Sequence, residues 1–107
     1  MKFQRYAILL CTIALTVGAG SSQAADGEEI YTGAMPPCSS CHNTGAAGAP
    51  KVGDADSWGD RLDADTAELV QNVKDGQGAM PAYKDRNSEE ELTAAVEWMV
   101  EQTRNAE

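Results

Sequence analysis

Two cysteines and the only histidine of the chain lie together in the stretch CSSCHNTGAAGAP, residues 38–50. Cys38 and Cys41 are three positions apart, so on one helical turn their thiols point the same way. Thiols at this spacing can reach the vinyl groups on neighbouring pyrroles of a haem, and the adjacent His42 can turn its imidazole to the iron. The Cys-x-x-Cys-His pattern therefore predicts covalent attachment of a c-type haem.

The same residues permit other chemistry. Cys38, Cys41 and His42 could belong to a zinc site, but a structural site needs a fourth ligand, and residues 25–107 contain no other Cys or His. A Cys-x-x-Cys pair can also be a thiol–disulfide redox centre, which normally opens a helix after a strand, in a βαβ setting that this sequence lacks. A chance match to a short motif is the remaining alternative.

A haem iron bound by one histidine has a sixth position, and the chain has no second histidine to fill it. Met35 lies too near Cys38 to reach the opposite haem face, and Met99 falls on the apolar stripe of a helix, where packing is its expected role. Met80 lies in GQGAMPAY, a predicted loop that could carry its sulfur over a flat ligand. Met80 is therefore the predicted second ligand, with an ordinary buried methionine as the alternative.

The N-terminal segment predicts export. Lys2 and Arg5 precede an apolar run over residues 6–17, and Ser-Gln-Ala then fits the small-x-small rule for cleavage. We expect residues 1–24 to be a cleaved signal peptide, with an uncleaved anchor as the alternative, and residues 25–107 to be one periplasmic domain. The third cysteine would leave with the leader.

The exported domain is strongly acidic. Cleavage removes two of the eight basic residues and none of the seventeen acidic ones, which leaves a net charge of 6 − 17 = −11. Such a charge repels phosphate backbones and anionic lipids, so we expect neither a nucleic-acid partner nor stable membrane insertion after cleavage. Solubility explains the acidity as well as a docking role would.

Helix patterns outnumber strand patterns, so we expect an all-α fold. Ser88 and Glu91 form a capping box before LTAAVEWMVEQT, the clearest helix of the chain. Shorter helical segments are predicted in GEEIYTGAM, DSWGDRL and DADTAELVQNVKDG, and residues 43–56 are read as a loop. Three or four short helices joined by long loops in so small a domain need a central group to wrap around.

In these features the chain resembles a class I c-type cytochrome, most like the bacterial cytochrome c5 family. The resemblance covers essentially all of residues 25–107, in the order of the family. The matching segments are GEEIY, CSSCH, TGAAGAPKVGD, W..RL, GAMP and SEEELTAAVEWM. It implies one haem c with its iron, attached through Cys38 and Cys41, with His42 and Met80 as the axial ligands.

The resemblance also assigns roles around the haem. It implies that the Pro50 carbonyl accepts a hydrogen bond from the His42 ring, which would fix the tautomer and strengthen the ligand. Trp58 and Arg61 match positions near the haem edge, and Arg61 is a candidate partner for a propionate.

Two further features concern the connections of the fold. The first and last helices of the family cross closely, which implies that Gly27 and Tyr31 meet Trp98 or its neighbours. The segment TGAMPP between Tyr31 and Cys38 is longer than family members usually have. Some cytochrome c5 proteins carry an extra cysteine pair near the position of AYKDRN, and this chain does not.

The resemblance implies a periplasmic, monomeric one-electron carrier rather than an enzyme. Its partners would be redox proteins, namely a respiratory donor and an oxidase or reductase as acceptor. A haem enzyme or gas binder with an open sixth position is the first alternative, and a thiol–disulfide oxidoreductase is the second.

Overall fold

The computed structural model describes residues 25–107, and within them it contains α-helices and 3-10 helices without a strand. The α-helices are α1 (Gly27–Gly33), α2 (Ser39–His42), α3 (Ala55–Trp58), α4 (Thr66–Asp75) and α5 (Glu89–Asn105). Short 3-10 helices cover Ala46–Gly48 and Gly59–Asp63. The all-α prediction is confirmed, and the helices beyond the expected three or four are single turns. The predicted signal peptide lies outside the described residues.

Helix α5 begins where the sequence predicts. The Ser88 hydroxyl accepts a hydrogen bond from the Glu91 backbone N–H at 3.1 Å, and the Glu91 carboxylate accepts one from the Ser88 N–H at 2.9 Å. The bond from the Ser88 N–H stabilises the charged carboxylate and is the largest cause that lowers the pKa of Glu91. The capping box therefore fixes the first turn of the longest helix, whose inner face supplies Leu92, Val96 and Met99 to the core.

Helix α1 crosses α5 at a glycine. A Cβ on Gly27 would overlap the Ala94 carbonyl oxygen and lie 2.6 Å from the Trp98 Cβ, so only glycine permits this approach. The Tyr31 and Trp98 rings then pack with their centroids 4.7 Å apart. The contact that the resemblance implies between the first and last helices is present.

Helix α1 ends at Gly33, two residues before the end of the predicted segment GEEIYTGAM. Ala34 already has extended backbone angles, and Met35 precedes Pro36, a position that disfavours helical geometry. Pro36 thus affects the backbone of the residue before it.

Within residues 25–107 no helix combines the length and apolar character needed to cross a membrane.

Candidate haem-binding site

A cavity of about 370 Å³ lies in the middle of the described domain. Helices α2, α4 and α5 contribute to its lining together with the loops that follow α2 and α4. Every site residue predicted from the sequence is on its wall: Cys38, Cys41, His42, Pro50, Trp58, Arg61 and Met80. The fold therefore brings together residues that are up to 42 positions apart in the chain.

Residues 38–42 and Pro50 contribute to one part of the cavity lining, and we call them, together with the adjoining residues 51–53, the histidine wall. The turn of α2 carries His42, whose side chain is buried. The Nδ1 atom of His42 lies 2.7 Å from the Pro50 carbonyl oxygen. Because a carbonyl only accepts, Nδ1–H must donate, and the lone pair of Nε2 is left available to a metal. The hydrogen bond implied by the resemblance is present.

Distant side chains hold the 50–53 segment in place. The Trp58 indole N–H donates to the Lys51 carbonyl at 2.9 Å. The Gly53 N–H donates to the Thr103 hydroxyl at 3.1 Å, and that hydroxyl donates to the Met99 carbonyl at 2.8 Å. Thr103 is fully buried, and the sequence reasoning missed it. Its place four residues after Met99, on the apolar stripe of α5, is the signal that would have found it.

A second part of the cavity lining, which we call the methionine wall, comes from the loop over residues 76–83. Met80 is half-buried and exchanges two backbone hydrogen bonds with Gln77, at 2.8 and 3.1 Å. Gly76 has φ +79° and ψ 159°, a region open to glycine and few other residues. A Cβ there would lie 2.8 Å from the Met80 carbonyl oxygen. Gly76 thus permits the tight return of the chain that carries Met80 to the cavity.

The other methionines differ from Met80 in position. Met35 is 73% exposed and does not line the cavity. Met99 is buried among core residues in the middle of α5, as predicted, and its side chain also forms part of the cavity wall. A methionine on a loop can move toward a flat ligand more readily than one in a helix interior, which keeps Met80 the stronger candidate ligand.

The two cysteines are not bonded to each other. Burial raises the pKa of the Cys38 thiol. Thiol–disulfide oxidoreductases instead lower the pKa of the attacking cysteine to obtain a thiolate. The environment of Cys38 is therefore the opposite of what that alternative needs, while both cysteines line the cavity as thioether formation requires.

Trp58 and Arg61 occupy different depths of the site. Trp58 is buried, and its ring centroid lies 6.4 Å from that of His42 in a stacked arrangement. Its indole N–H already has the Lys51 carbonyl as partner. Arg61 is exposed although it lines the cavity, so its guanidinium is available to an acidic group at the edge.

Tyr83 is a cavity residue that the sequence reasoning missed. It is 3% exposed and lies three residues after Met80. Its hydroxyl donates to the Pro36 carbonyl at 2.5 Å, across 47 positions of the chain. The sequence shows an aromatic residue two positions after AMP, but it does not show the long-range partner of that residue.

The donor set fits a haem c. The cavity walls are mainly apolar, as a porphyrin requires. The lining includes two thiols, an imidazole with one free nitrogen, and two thioethers, those of Met80 and Met99. Soft sulfur and imidazole are ligands suited to iron.

Comparison with known proteins agrees with this fit. A family model described as cytochrome c oxidase, cbb3-type, subunit III, matches residues 22–99. Cytochrome c-551 of Halorhodospira halochloris is 47% identical over 76 residues, which are 70% of this chain and 95% of that protein. Relatives named cytochrome c5, c6 and c-555 also match.

Solved structures share the fold. The reduced cytochrome c551 of Ectothiorhodospira halophila superposes with a TM-score of 0.67 at 46% identity, covering 72% of this chain and 99% of that one. A second match is the structure of an electron transfer complex of nitrite reductase with cytochrome c, with a TM-score of 0.64 at 37% identity, covering 73% and 94%. The chain thus belongs to the class I c-type cytochromes, small electron carriers with covalently bound haem c.

Proposed function

We propose that residues 25–107 act as a periplasmic mono-haem carrier of single electrons. In this proposal Cys38 and Cys41 form the thioethers, and His42 and Met80 are the axial ligands. The observation that carries it is that these four side chains line one cavity. When bound, the haem supplies an iron that alternates between the ferrous and ferric states.

The histidine wall has the role of orienting one ligand. The Pro50 carbonyl holds the proton of His42 on Nδ1, so Nε2 keeps its lone pair directed into the cavity. A hydrogen-bonded imidazole is a better electron donor to a metal than a free one. This supports a histidine ligand that stays in place in both oxidation states.

The role of Met80 is to fill the sixth position. Methionine ligation raises the reduction potential of the iron relative to histidine or thiolate ligation, and a filled position leaves no room for substrate. Peroxide chemistry would need a distal acid–base group. The chain has no second histidine, and the Tyr83 hydroxyl is hydrogen-bonded to Pro36 with its pKa raised, first by burial. These features support a carrier over a haem enzyme.

The edge of the site supports docking to redox proteins. Residues 43–50 and residues 76–82 contain no charged side chain. Acidic side chains concentrate in the helices and their caps, at Glu28, Glu29, Asp63, Asp65, Glu89, Glu90 and Glu91. We propose an uncharged contact patch with an acidic periphery, which would select partners with basic rims.

The partners proposed are a respiratory donor and an oxidase or reductase. The structural relative in an electron transfer complex with nitrite reductase supports an acceptor of that kind. The sequence of residues 1–24 supports export to the periplasm and removal of that segment. The proposal takes the exported domain to be a monomer.

An absorption spectrum of the purified exported protein tests the proposal. We expect low-spin c-type bands with a methionine–iron charge-transfer band. Met80→Ala should keep the haem attached, remove the charge-transfer band and let ferrous iron bind carbon monoxide. The exposed Met35→Ala variant is the matched control and should keep the wild-type spectrum. An unchanged spectrum in Met80→Ala, with no carbon monoxide binding, would show that Met80 is not a ligand.

A further inference from the structure

The segment TGAMPP, which the proposed function leaves without a role, is attached to the methionine wall. The Tyr83 hydroxyl donates to the Pro36 carbonyl at 2.5 Å, and Arg86 Nη1 donates to the Met35 carbonyl at 2.8 Å. Two consecutive carbonyls of this segment are therefore bound by two side chains that follow Met80 in the chain, Tyr83 and Arg86. We call these two hydrogen bonds the latch.

The two donors of the latch lie next to each other. The Tyr83 side chain is buried, and the Arg86 guanidinium carbon lies 6.0 Å from the centroid of its ring. The backbone N–H groups of Arg86 and Asn87 both donate to the Tyr83 carbonyl, at 2.9 and 3.1 Å, which closes a turn. The turn therefore places the two donors beside each other, where they reach two neighbouring carbonyls.

The acceptors lie at the entrance to the histidine wall. Pro36 and Pro37 line the cavity, and Cys38 follows them directly. The latch consequently joins the chain that enters the Cys-x-x-Cys-His turn to the chain that leaves Met80. It is a contact between the chain segments that adjoin the two walls.

Met80 is close to the latch along the chain. Only Pro81 and Ala82 separate it from Tyr83, a span of about 10 Å when fully extended. The Tyr83 N–H donates to the Val73 carbonyl at 3.1 Å, so the end of the loop is tied to α4 as well. Because only two residues lie between them, we expect a change in the position of Tyr83 to alter the position of Met80.

We propose that Tyr83 and Arg86 are positioning residues that hold Met80 on the iron by tying the methionine wall to the carbonyls of Pro36 and Met35. This inference rests on the proposed function, because it takes Met80 as the sixth ligand. Loss of a latch bond should let the methionine wall open more often, without changing how the haem is attached. An external ligand should then reach the iron faster.

The test is the rate at which imidazole displaces Met80 from the oxidised holoprotein, followed by the loss of the methionine–iron charge-transfer band. Tyr83→Phe removes the hydroxyl and keeps the ring. We expect its displacement rate to rise about threefold to tenfold, the factor that one net hydrogen bond gives. Arg86→Ala, at an exposed position, should raise the rate by a smaller factor.

Tyr31→Phe is the matched control. Tyr31 is as buried as Tyr83, and its hydroxyl donates to Asn43 Oδ1 at the same 2.5 Å, but it does not line the cavity. It should lose comparable global stability and keep the wild-type displacement rate. If Tyr83 had only a structural role, both tyrosine variants would change the displacement rate equally. Equal displacement rates in Tyr83→Phe and Tyr31→Phe would therefore overturn the latch.

Each remaining outcome also supports or rejects the latch. If Tyr83→Phe yields no holoprotein, Arg86→Ala carries the test, and a wild-type rate in that variant rejects the latch. A charge-transfer band that is missing from the wild type, or that persists in Met80→Ala, rejects the proposed ligand and the latch with it. A band that behaves as expected while the latch variants keep the wild-type rate rejects the latch alone.

Discussion

The two walls of the cavity hold their candidate ligands by different means. On the histidine wall, the imidazole is buried and hydrogen-bonded at 2.7 Å, and the segment that supplies the acceptor is bound in turn by Trp58 and Thr103. On the methionine wall, Met80 is half-buried, and its own backbone bonds reach only to Gln77. The first wall is fixed by side-chain donors and acceptors, and the second by backbone shape and the latch at its end.

This difference predicts different consequences of mutation. Changes in the histidine wall should alter the orientation or hydrogen bonding of a ligand that stays bound. Changes in the methionine wall should alter how much of the time its ligand is bound, because the loop can open as a unit. We therefore expect an electron carrier in which His42 stays bound to the iron while Met80 dissociates from it more readily.

We expect the largest effect from removing the haem, the group that both walls would contact. The Cys38→Ala, Cys41→Ala double variant should lack covalently bound haem and melt without a cooperative transition. A domain of 83 residues has little core to spare, and the apolar residues of both walls would border an empty space. Absorption and a circular dichroism melt are the measurements. A cooperative, native-like melt without haem would refute the dependence of the fold on haem.

A large effect confined to the methionine wall is expected for Gly76→Ala. The backbone at Gly76 is in a region that costs other residues about 3 kcal/mol, and the new Cβ would crowd the Met80 carbonyl. Gly78 also has positive φ but faces open space, so Gly78→Ala should cost only about 1 kcal/mol. Denaturant unfolding of both holoproteins measures the difference. Equal losses would mean that the close approach at Gly76 has no role.

A smaller effect confined to the histidine wall is expected for Thr103→Val. The Gly53 N–H loses its acceptor, which should lower the free energy of unfolding by about 1–2 kcal/mol. The His42 Nδ1–H resonance should shift in a proton NMR spectrum, while the methionine–iron band stays unchanged. Thr103→Ser keeps the hydroxyl and should restore the wild-type resonance. A loss of the methionine band in Thr103→Val would mean that the walls are not independent.

The smallest effect concerns the acidic periphery that we propose for the contact surface. Electron exchange with a basic partner should slow by about threefold as ionic strength rises from about 0.01 to about 0.1 M, because the Debye length shrinks from about 30 to about 10 Å. Salt should change the association rate more than the exchange rate within the complex. Stopped-flow reduction across a salt series measures it. A flat rate would leave solubility as the explanation for the acidity.

Local sequence patterns predicted the fold class and most of the helices. The capping box at Ser88 and Glu91 involves residues three positions apart, and the structure contains both of its bonds. The same holds for the α2 turn, where consecutive residues bring Cys38, Cys41 and His42 to one cavity. The predicted segment for helix α1 ended at Met35, two residues beyond the observed end at Gly33. Pro36 already disfavours helical geometry at the residue before it, and the prediction did not take this into account.

The sequence by itself determined the chemistry of the site, since the thiols and the imidazole are neighbours in the chain and their relative placement follows from one helical turn. Only the tertiary structure decided what supports them. The bonds from Tyr83 to Pro36 and from Thr103 to Gly53 span 47 and 50 positions. Such bonds depend on how α4 and α5 pack against the loops. Helix packing is set by the summed fit of many side chains, so no spacing within the sequence specifies which distant carbonyl or N–H becomes the partner.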